Sequence, residues 1–341
     1  MQKRLLSILK YGFFLVLGIF LVWWSLHKMS EEEYEQFLTS LKNANYYLLI
    51  PVFFILTASH ISRAIRWKIL IKSLGYNPKL SNTFCAVMVG YLANFAVPRL
   101  GEVLKCTILA KYEKVPADKL VGTILVERAV DVLSFFIVIV ISLLTQAKVV
   151  GGYAMTFFRK YFLSQDKGTV AIKTGVILVV IIAAFFLIRY IFTKYLHIKI
   201  VQQLKNIYHG IVEGLLSVKK LKNKWLFIFH SVFIWSCYLI GTYVGFSAIK
   251  ETSVLPALST FPVLAFGTVA TMLTPGGIGS YPVLLAEAML LYNVQEAYGN
   301  ANGWLQWSAQ FIIILVVGFI CLIVLPYINK SKDEISTVDT Q

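Results

Sequence analysis

The sequence predicts an all-α polytopic membrane protein, and three observations lead to that class. Hydrophobic residues make up 58% of the 341-residue chain and charged residues only 14%, whereas about a quarter of the residues in a soluble domain are charged. Apolar runs that approach the thickness of a bilayer recur along the chain. Two further apolar runs are interrupted by glycine and proline. We therefore expect a single membrane domain over residues 1–341, with about six full spans and two re-entrant helical hairpins in an inverted-repeat arrangement.

The first half of the chain is expected to contain three full spans and one hairpin. The full spans are the apolar segments 11–26, 46–61 and 120–145. The hairpin is the apolar run 83–110, which is interrupted by proline and glycine at residues 98–102. A helix is not expected to continue through such a segment, because proline lacks a backbone N–H and glycine favours irregular backbone.

The second half repeats this order, with spans at 174–192, 225–249 and 304–327 and an interrupted run at 261–291. Its interruption, residues 274–282, contains three glycines and two prolines in nine residues. Each apolar arm is shorter than the roughly 20 residues that cross a bilayer. Open backbone at membrane depth also needs protein or a water-filled cavity around it. The interruption is therefore either a turn between short helices at the membrane surface or the tip of a re-entrant hairpin that lines a substrate path.

The shared order of elements favours the hairpin interpretation. Each half reads span, span, hairpin, span, and an odd number of full crossings places the two halves upside down relative to each other. Many secondary transporters have this inverted repeat, and their interrupted segments meet near the membrane midplane. The two breaks would then be symmetry mates. If both interrupted runs crossed fully, the chain would instead have ten spans.

The distribution of charge assigns the loops to the two sides of the membrane. The net charge is +15, and lysine and arginine accumulate in cytoplasmic loops. We assign both termini, the segment 193–224 with its seven lysines, and a cytoplasmic anchor formed by Arg63 and Arg66 to the cytoplasmic side. The acidic segment 28–45 is predicted to be a polar outer loop. The basic loop 146–173 also falls outside and is the one loop that opposes the rule.

Three charged residues interrupt the apolar span 120–145. They are Glu127, Arg128 and Asp131, and charges within a span are usually paired or functional because they are costly in lipid. Arg128 can pair with Asp131 at i, i+3, and Glu127 shares a helix face with Asp131 at i, i+4. Two interpretations are open: an internal ion-pair network that holds helices together, or a charge network that gates a path.

The two helix breaks are the predicted contacts for a substrate headgroup. An arginine beside open backbone N–H groups at a helix end suits an anion such as phosphate. Glycines in the second break could offer N–H groups from the opposite side. The predicted headgroup contacts are Arg99, Gly101, Glu102, Gly276, Gly277 and Gly279.

Motifs for cofactor-dependent or enzymatic chemistry do not occur in the sequence. There is no GxxxxGK[ST] phosphate-binding loop and no HExxH or CxxC metal spacing. Ser280 is not in a GxSxG elbow, because Pro282 stands where that motif needs glycine. No polar domain presents the basic residues to nucleic acid. We therefore expect no cofactor, no metal, no nucleic-acid partner and no enzymatic activity.

Three ordered motifs resemble the flippase-like transmembrane region of lysylphosphatidylglycerol synthases. They are Pro-Arg-Leu-Gly-Glu at 98–102, Val-Glu-Arg at 126–128 followed by Asp131, and Pro-Gly-Gly-Ile-Gly at 275–279. The resemblance covers about residues 10–327. It implies an integral membrane protein that moves or handles an anionic or lipid-linked substrate.

The sequence departs from this family pattern in two respects. The synthases carry a soluble aminoacyl-transferase domain after the membrane region, whereas here a polar tail, 328–341, follows it. Synthase activity is therefore not expected. The family also commonly has a glutamate just after the glycine turn, where this chain has Tyr281 and Pro282, and Glu287 is the nearest acid.

The leading hypothesis is a lipid flippase or transporter that handles an anionic phospholipid or lipid-linked headgroup across the cytoplasmic membrane. One alternative is a membrane-embedded transferase that acts on a polyprenyl-phosphate or lipid substrate. Another is a structural partner of a cell-envelope complex. The identity of the lipid, the energy source and any homo-oligomer are left open by the sequence.

Overall fold

The computed structural model of the chain describes residues 2–97, 99–147, 149, 152, 218–219 and 221–338. The regular secondary structure in these ranges is entirely helical, which confirms the all-α class. In chain order the α-helices are α1 (Gln2–His27), α2 (Glu31–Lys42), α3 (Leu49–Ser73), α4 (Leu80–Ala96), α5 (Leu100–Glu113), α6 (Ala117–Thr145), α7 (Lys224–Phe246), α8 (Thr260–Leu273), α9 (Ser280–Leu290) and α10 (Glu296–Val338). The predicted span 174–192 and most of the segments 146–173 and 193–224 lie outside the described residues.

Several of the described helices have the length and apolarity of membrane spans. Helices α1 and α6 cover the predicted spans 11–26 and 120–145. Three segments of the described chain are long and apolar enough to cross a membrane: Tyr46–Ser73, Lys224–Phe246 and Glu296–Lys330. These three correspond to the predicted second, fifth and sixth spans. The polytopic membrane class follows from them.

Helix α3 continues well past its predicted end at Ile61. It reaches Ser73, because no glycine or proline occurs between Ile61 and Gly75, whose φ of 90° suits only glycine. Arg63 and Arg66 therefore lie within a helix, not in a loop that follows a span.

The prediction of a polar loop at residues 28–45 is wrong, because most of this segment forms α2. Ser30 and Glu33 make a complete capping box at the first turn of this helix, a pattern that the sequence itself carries. Phe37 packs against Ala297 and Ala301 of α10. This contact fixes α2 to the helical body.

We expect the first turn of α2 to lose protection in acid. The backbone N–H and the hydroxyl of Ser30 donate to the Glu33 carboxylate at 2.8 and 3.0 Å and hold the pKa of this exposed group below its ordinary value. A lowered folded-state pKa means that Glu33 stabilises the turn above the ordinary glutamate pKa and ceases to do so as pH falls through the folded value. Amide hydrogen-exchange protection factors for residues of this turn, measured against pH, test this. Glu33→Gln keeps an acceptor at the same place but should abolish the pH dependence; a pH profile that is unchanged in that variant would contradict the assignment.

The first interrupted run forms an antiparallel helical pair, α4 and α5. A β-carbon added to Gly101 would meet the Gly90 carbonyl oxygen, so the two helices approach backbone to backbone. Asn94 accepts a hydrogen bond from the Gly101 N–H at 2.8 Å. At the far end of the pair, Asn82 donates to Glu113 at 2.5 Å.

The second interrupted run forms an equivalent pair, α8 and α9. Ser280 donates across the break to the Ala270 carbonyl oxygen at 2.8 Å, and its hydroxyl lies 2.6 Å from the Thr274 hydroxyl. Gly276, Gly277 and Gly279 have φ values of 61°, 77° and 73°, which glycine adopts without strain. The predicted helix–break–helix pattern is therefore confirmed in both halves.

The tips of the two hairpins meet inside the helical body. Phe95, next to the first break, packs so closely on Gly276 that a β-carbon there would collide with the phenyl ring. Trp307 of α10 donates to the Gly276 carbonyl oxygen at 2.8 Å. On another side of the second tip, Gly279 packs against the Gly18 carbonyl oxygen of α1. The expected meeting of the interrupted segments is thus observed, while their depth in a membrane stays a prediction.

Candidate functional site

A cavity of about 830 Å³ lies where the two hairpin tips face α3, α6, α7 and α10. Its volume is that of a typical site for a small molecule or a lipid headgroup. Phe95 and Gly276, the residues that join the two tips, both belong to its wall. The helix breaks therefore open onto a shared internal space.

The wall of this cavity is amphipathic. One part is apolar and is formed by Leu49, Val52 and Leu56 of α3 together with residues of the neighbouring helices. Another part is charged, and its charged members are Arg63, Arg99, Glu102, Arg128 and Asp131. A molecule with an apolar body and a charged end fits such a wall.

Arg99 occupies a strained position at the first break. Its φ is 71°, a left-handed conformation at the residue before α5 begins, which is uncommon for any residue other than glycine. Such outliers concentrate at functional sites because the surrounding structure must compensate for their cost. The side chain is exposed, lines the cavity and makes no ion pair with a described carboxylate. Its guanidinium is therefore available to a ligand.

A buried ion-pair network lies in and behind the charged part of the wall. Asp131 accepts from Arg63 and from Arg66, each at 2.7 Å. Glu127 contacts the same two arginines at 3.3 and 3.4 Å, and Lys105 at 3.1 Å. The network joins α3, α5 and α6, and it matches the interpretation in which internal ion pairs hold helices together.

Lys105, which is not among the site residues predicted from the sequence, also belongs to this network. It is buried, with its ammonium 4.3 Å from the centre of the Trp67 ring. The signal in the sequence was a lone lysine in the apolar run after the first break. Its partner could not be read from spacing, because Glu127 lies on a different helix.

Arg128 does not pair with Asp131, so the predicted i, i+3 pair is wrong. Arg128 contacts Glu102 of α5 at 3.1 Å instead, and both side chains are partly exposed, at 50% and 37%. Instead of Arg128, Asp131 binds two buried guanidinium groups. Charge-assisted hydrogen bonds in a dry interior are stronger than an ion pair at the surface. The predicted common face of Glu127 and Asp131 is confirmed by their shared arginine partners.

Arg63 and Arg66 are not surface anchors. Their side chains are 8% and 0% exposed, whereas an anchor to lipid headgroups must reach the membrane surface. Arg63 also donates to the Tyr238 hydroxyl at 3.1 Å, and Arg66 donates to Ser231 at 3.3 Å. Both arginines are internal counter-ions of the α6 carboxylates, which corrects their predicted role.

Three of the predicted headgroup contacts, Gly101, Gly277 and Gly279, are not among the residues that line the cavity. Gly101 is buried against Gly90, the Gly277 N–H donates to the Thr274 carbonyl oxygen at 3.0 Å, and Gly279 is buried against α1. Arg99, Glu102 and Gly276 line the cavity. Contact of these last three with a headgroup stays a prediction.

Tyr281 and Pro282 follow the glycines of the second break, at the place where the family pattern commonly has a glutamate. The Tyr281 side chain is buried and lines the cavity, and its hydroxyl accepts from Gln310 of α10 at 3.1 Å. Glu287 is exposed and does not line the cavity. The described residues of the second hairpin therefore contribute no carboxylate to this wall.

These features define a class: a helical integral membrane protein whose two broken helical hairpins enclose an amphipathic cavity. The chain matches the family described as "Lysylphosphatidylglycerol synthase TM region" over residues 8–318, and it belongs to that family. It is also 23% identical over 306 residues to the UPF0104 membrane protein MJ1595 of Methanocaldococcus jannaschii, covering 86% of this chain and 88% of the relative. No solved structure matches the chain.

Proposed function

We propose that the protein is a flippase or transporter that carries an anionic phospholipid or a lipid-linked headgroup across the cytoplasmic membrane. The observation that carries the proposal is the amphipathic cavity between the hairpin tips, with Arg99 on its wall. The apolar part of the wall suits lipid chains, and an available guanidinium suits a phosphate. Family membership supports a lipid substrate, since the family is described by a lipid-modifying synthase.

In this proposal no covalent bond of the substrate changes, and both termini lie on the cytoplasmic side. The hairpins would be re-entrant, and a shift of their tips would open the cavity alternately to the two leaflets. Inverted-repeat transporters work in this way, with gating elements that move around a central site. Aromatic rings of α10 provide a surface for such a shift. Phe311 meets Phe95, next to the first break, edge to face with ring centres 5.2 Å apart, and Trp307 stacks on Phe311 within α10.

Arg99→Ala should lower lipid movement about tenfold, because a charge-assisted hydrogen bond to phosphate would be lost. The measurement is the loss of a fluorescent anionic phospholipid from the outer leaflet of proteoliposomes. Lys114→Ala is a matched control: Lys114 is basic, exposed and also left-handed, with φ 55°, at the other end of α5, but it does not line the cavity. Undiminished movement in Arg99→Ala would contradict the assignment of Arg99.

A glycine substitution separates loss of function from loss of structure. Arg99→Gly relieves the left-handed strain, so it should raise the free energy of unfolding by up to about 1 kcal/mol while still lowering transport. Lys114→Gly should give the same gain in stability with transport unchanged.

A further inference from the structure

The charges around the cavity do not balance. Five basic side chains and three carboxylates belong to its wall or to the ion-pair network behind it, within the described residues. The basic members are Arg63, Arg66, Arg99, Lys105 and Arg128, and the acidic members are Glu102, Glu127 and Asp131. The described site therefore carries two positive charges in excess.

The first excess charge belongs to the buried network. Three cations, Arg63, Arg66 and Lys105, share the two carboxylates Glu127 and Asp131. All of these side chains are at most 15% exposed, so solvent screens them weakly. An uncompensated charge in a dry interior is costly unless a counter-charge approaches it.

The second excess charge is Arg99. Arg128 and Glu102 compensate each other, which leaves Arg99 without a described carboxylate. Both excess charges act on the same space, because Arg63 and Arg99 line one cavity. A bound anion is the group that can compensate both.

We propose that the headgroup taken by this cavity carries two negative charges on phosphate, as a lipid phosphomonoester or diphosphate does. The inference rests on the proposed function and specifies its substrate class. A phosphodiester lipid supplies one negative charge and leaves one excess cation unmatched. An aminoacylated headgroup brings an added positive charge into a site that is already positive, so it is disfavoured.

The pH dependence of binding distinguishes the two kinds of phosphate. A phosphomonoester gains its second negative charge near pH 6, whereas a phosphodiester keeps one charge across that range. Besides the charged residues named above, the titratable groups on the cavity wall are His60, Tyr91, Tyr238 and Tyr281. Protonation of His60 or Glu102 in acid would strengthen the binding of any anion, which is the opposite direction. Affinity that rises with pH for the monoester alone therefore reports the charge of the ligand.

The test compares phosphatidic acid with phosphatidylglycerol of the same acyl chains, bound to the full-length protein in detergent and quantified by native mass spectrometry. Near pH 8, we expect phosphatidic acid to bind about tenfold more tightly than phosphatidylglycerol. Near pH 5, its affinity should exceed that of phosphatidylglycerol by no more than about twofold. Equal affinity near pH 8 overturns the proposal. If glycerol 3-phosphate displaced phosphatidic acid at an equal concentration, the site would be one for a soluble phosphomonoester, and the proposal of a lipid site would be overturned.

Variants test whether the excess charges cause the preference. Arg99→Gln and Lys105→Met each remove one excess charge, and each should reduce the preference for phosphatidic acid to about threefold. Lys114→Gln removes a charge from the far end of α5 and should leave the preference for phosphatidic acid unchanged. Arg99 is exposed, so its variant is informative even if Lys105→Met fails to fold. A preference that survives Arg99→Gln intact overturns the proposal.

The outcome is separable from that of the proposed function. Binding with the expected preference but without transbilayer movement in proteoliposomes would reject the flippase and keep the dianionic site. Movement of both lipids at equal rates, with equal affinities, would keep the flippase and reject the dianionic site.

Discussion

Glu127→Gln should lower the free energy of unfolding by about 3 to 5 kcal/mol, the range for breaking a buried ion pair from one side. Glu127 is 4% exposed and contacts Arg63, Arg66 and Lys105. A neutral amide there would leave three buried cations with Asp131 as their one carboxylate. Reversible unfolding in mixed micelles of a mild detergent and dodecyl sulfate measures the change.

Glu102→Gln is the matched control for that experiment. Glu102 also pairs with a basic residue, Arg128, at 3.1 Å, but both side chains are partly exposed, so the loss should be under about 1 kcal/mol. The double variant Glu127→Gln with Lys105→Met removes a buried cation together with the carboxylate. The loss of unfolding free energy in this double variant should be about 1 to 3 kcal/mol smaller than the sum of the losses in the two single variants. A loss for Glu127→Gln of under about 1 kcal/mol, as small as the loss expected for Glu102→Gln, would show that the network does not bear on stability.

Gly101→Ala should destabilise the first hairpin by about 1 to 3 kcal/mol, the usual cost of overpacking. The added methyl group would meet the Gly90 carbonyl oxygen and the Asn94 side chain. Backbone cannot rotate away as a flexible side chain can, so α4 and α5 would have to separate. The shift should also weaken the hydrogen bond between Asn94 and the Gly101 N–H, and thermal unfolding with hydrogen exchange at the break reports both effects.

Gly122→Ala provides a control of opposite sign. Gly122 is an exposed glycine within α6, and a β-carbon added there has nothing within 4 Å. Alanine is the better helix former by roughly 0.5 to 1 kcal/mol, so this variant should gain stability. If Gly101→Ala also gained stability, the close approach of α4 and α5 would be refuted.

The elements of this fold that depend on local chemistry could be predicted from the sequence. Glycine and proline occur close together at 98–102 and 274–282 and interrupt a helix there, so both hairpins can be predicted. The capping box at Ser30 and Glu33 is a local signal for helix α2, whereas the polar composition of this segment alone favours a loop. The basic residues after Ile61 favour the end of a span, but α3 continues because no helix breaker follows until Gly75.

The charge pairs could not be predicted, because they depend on which helices become neighbours. Sequence spacing favoured Arg128 with Asp131, yet Asp131 binds Arg63 and Arg66, more than sixty positions away. Similarly, the breaks were expected to present glycine N–H groups to a ligand. Tertiary packing instead uses Gly101 and Gly279 to bring backbones together, and the side chain of Arg99 remains on the cavity wall.

The contact between Gly18 and Gly279 has a mechanical consequence. Helix α1 and the second hairpin tip approach backbone to backbone here, since a β-carbon added to either glycine would strike a carbonyl oxygen of the other segment. The side chains of Val22 and Ile278 flank this contact, so a shift along the axis of α1 would bring a β-carbon against the tip. Any movement of the second tip therefore requires these two backbones to separate first.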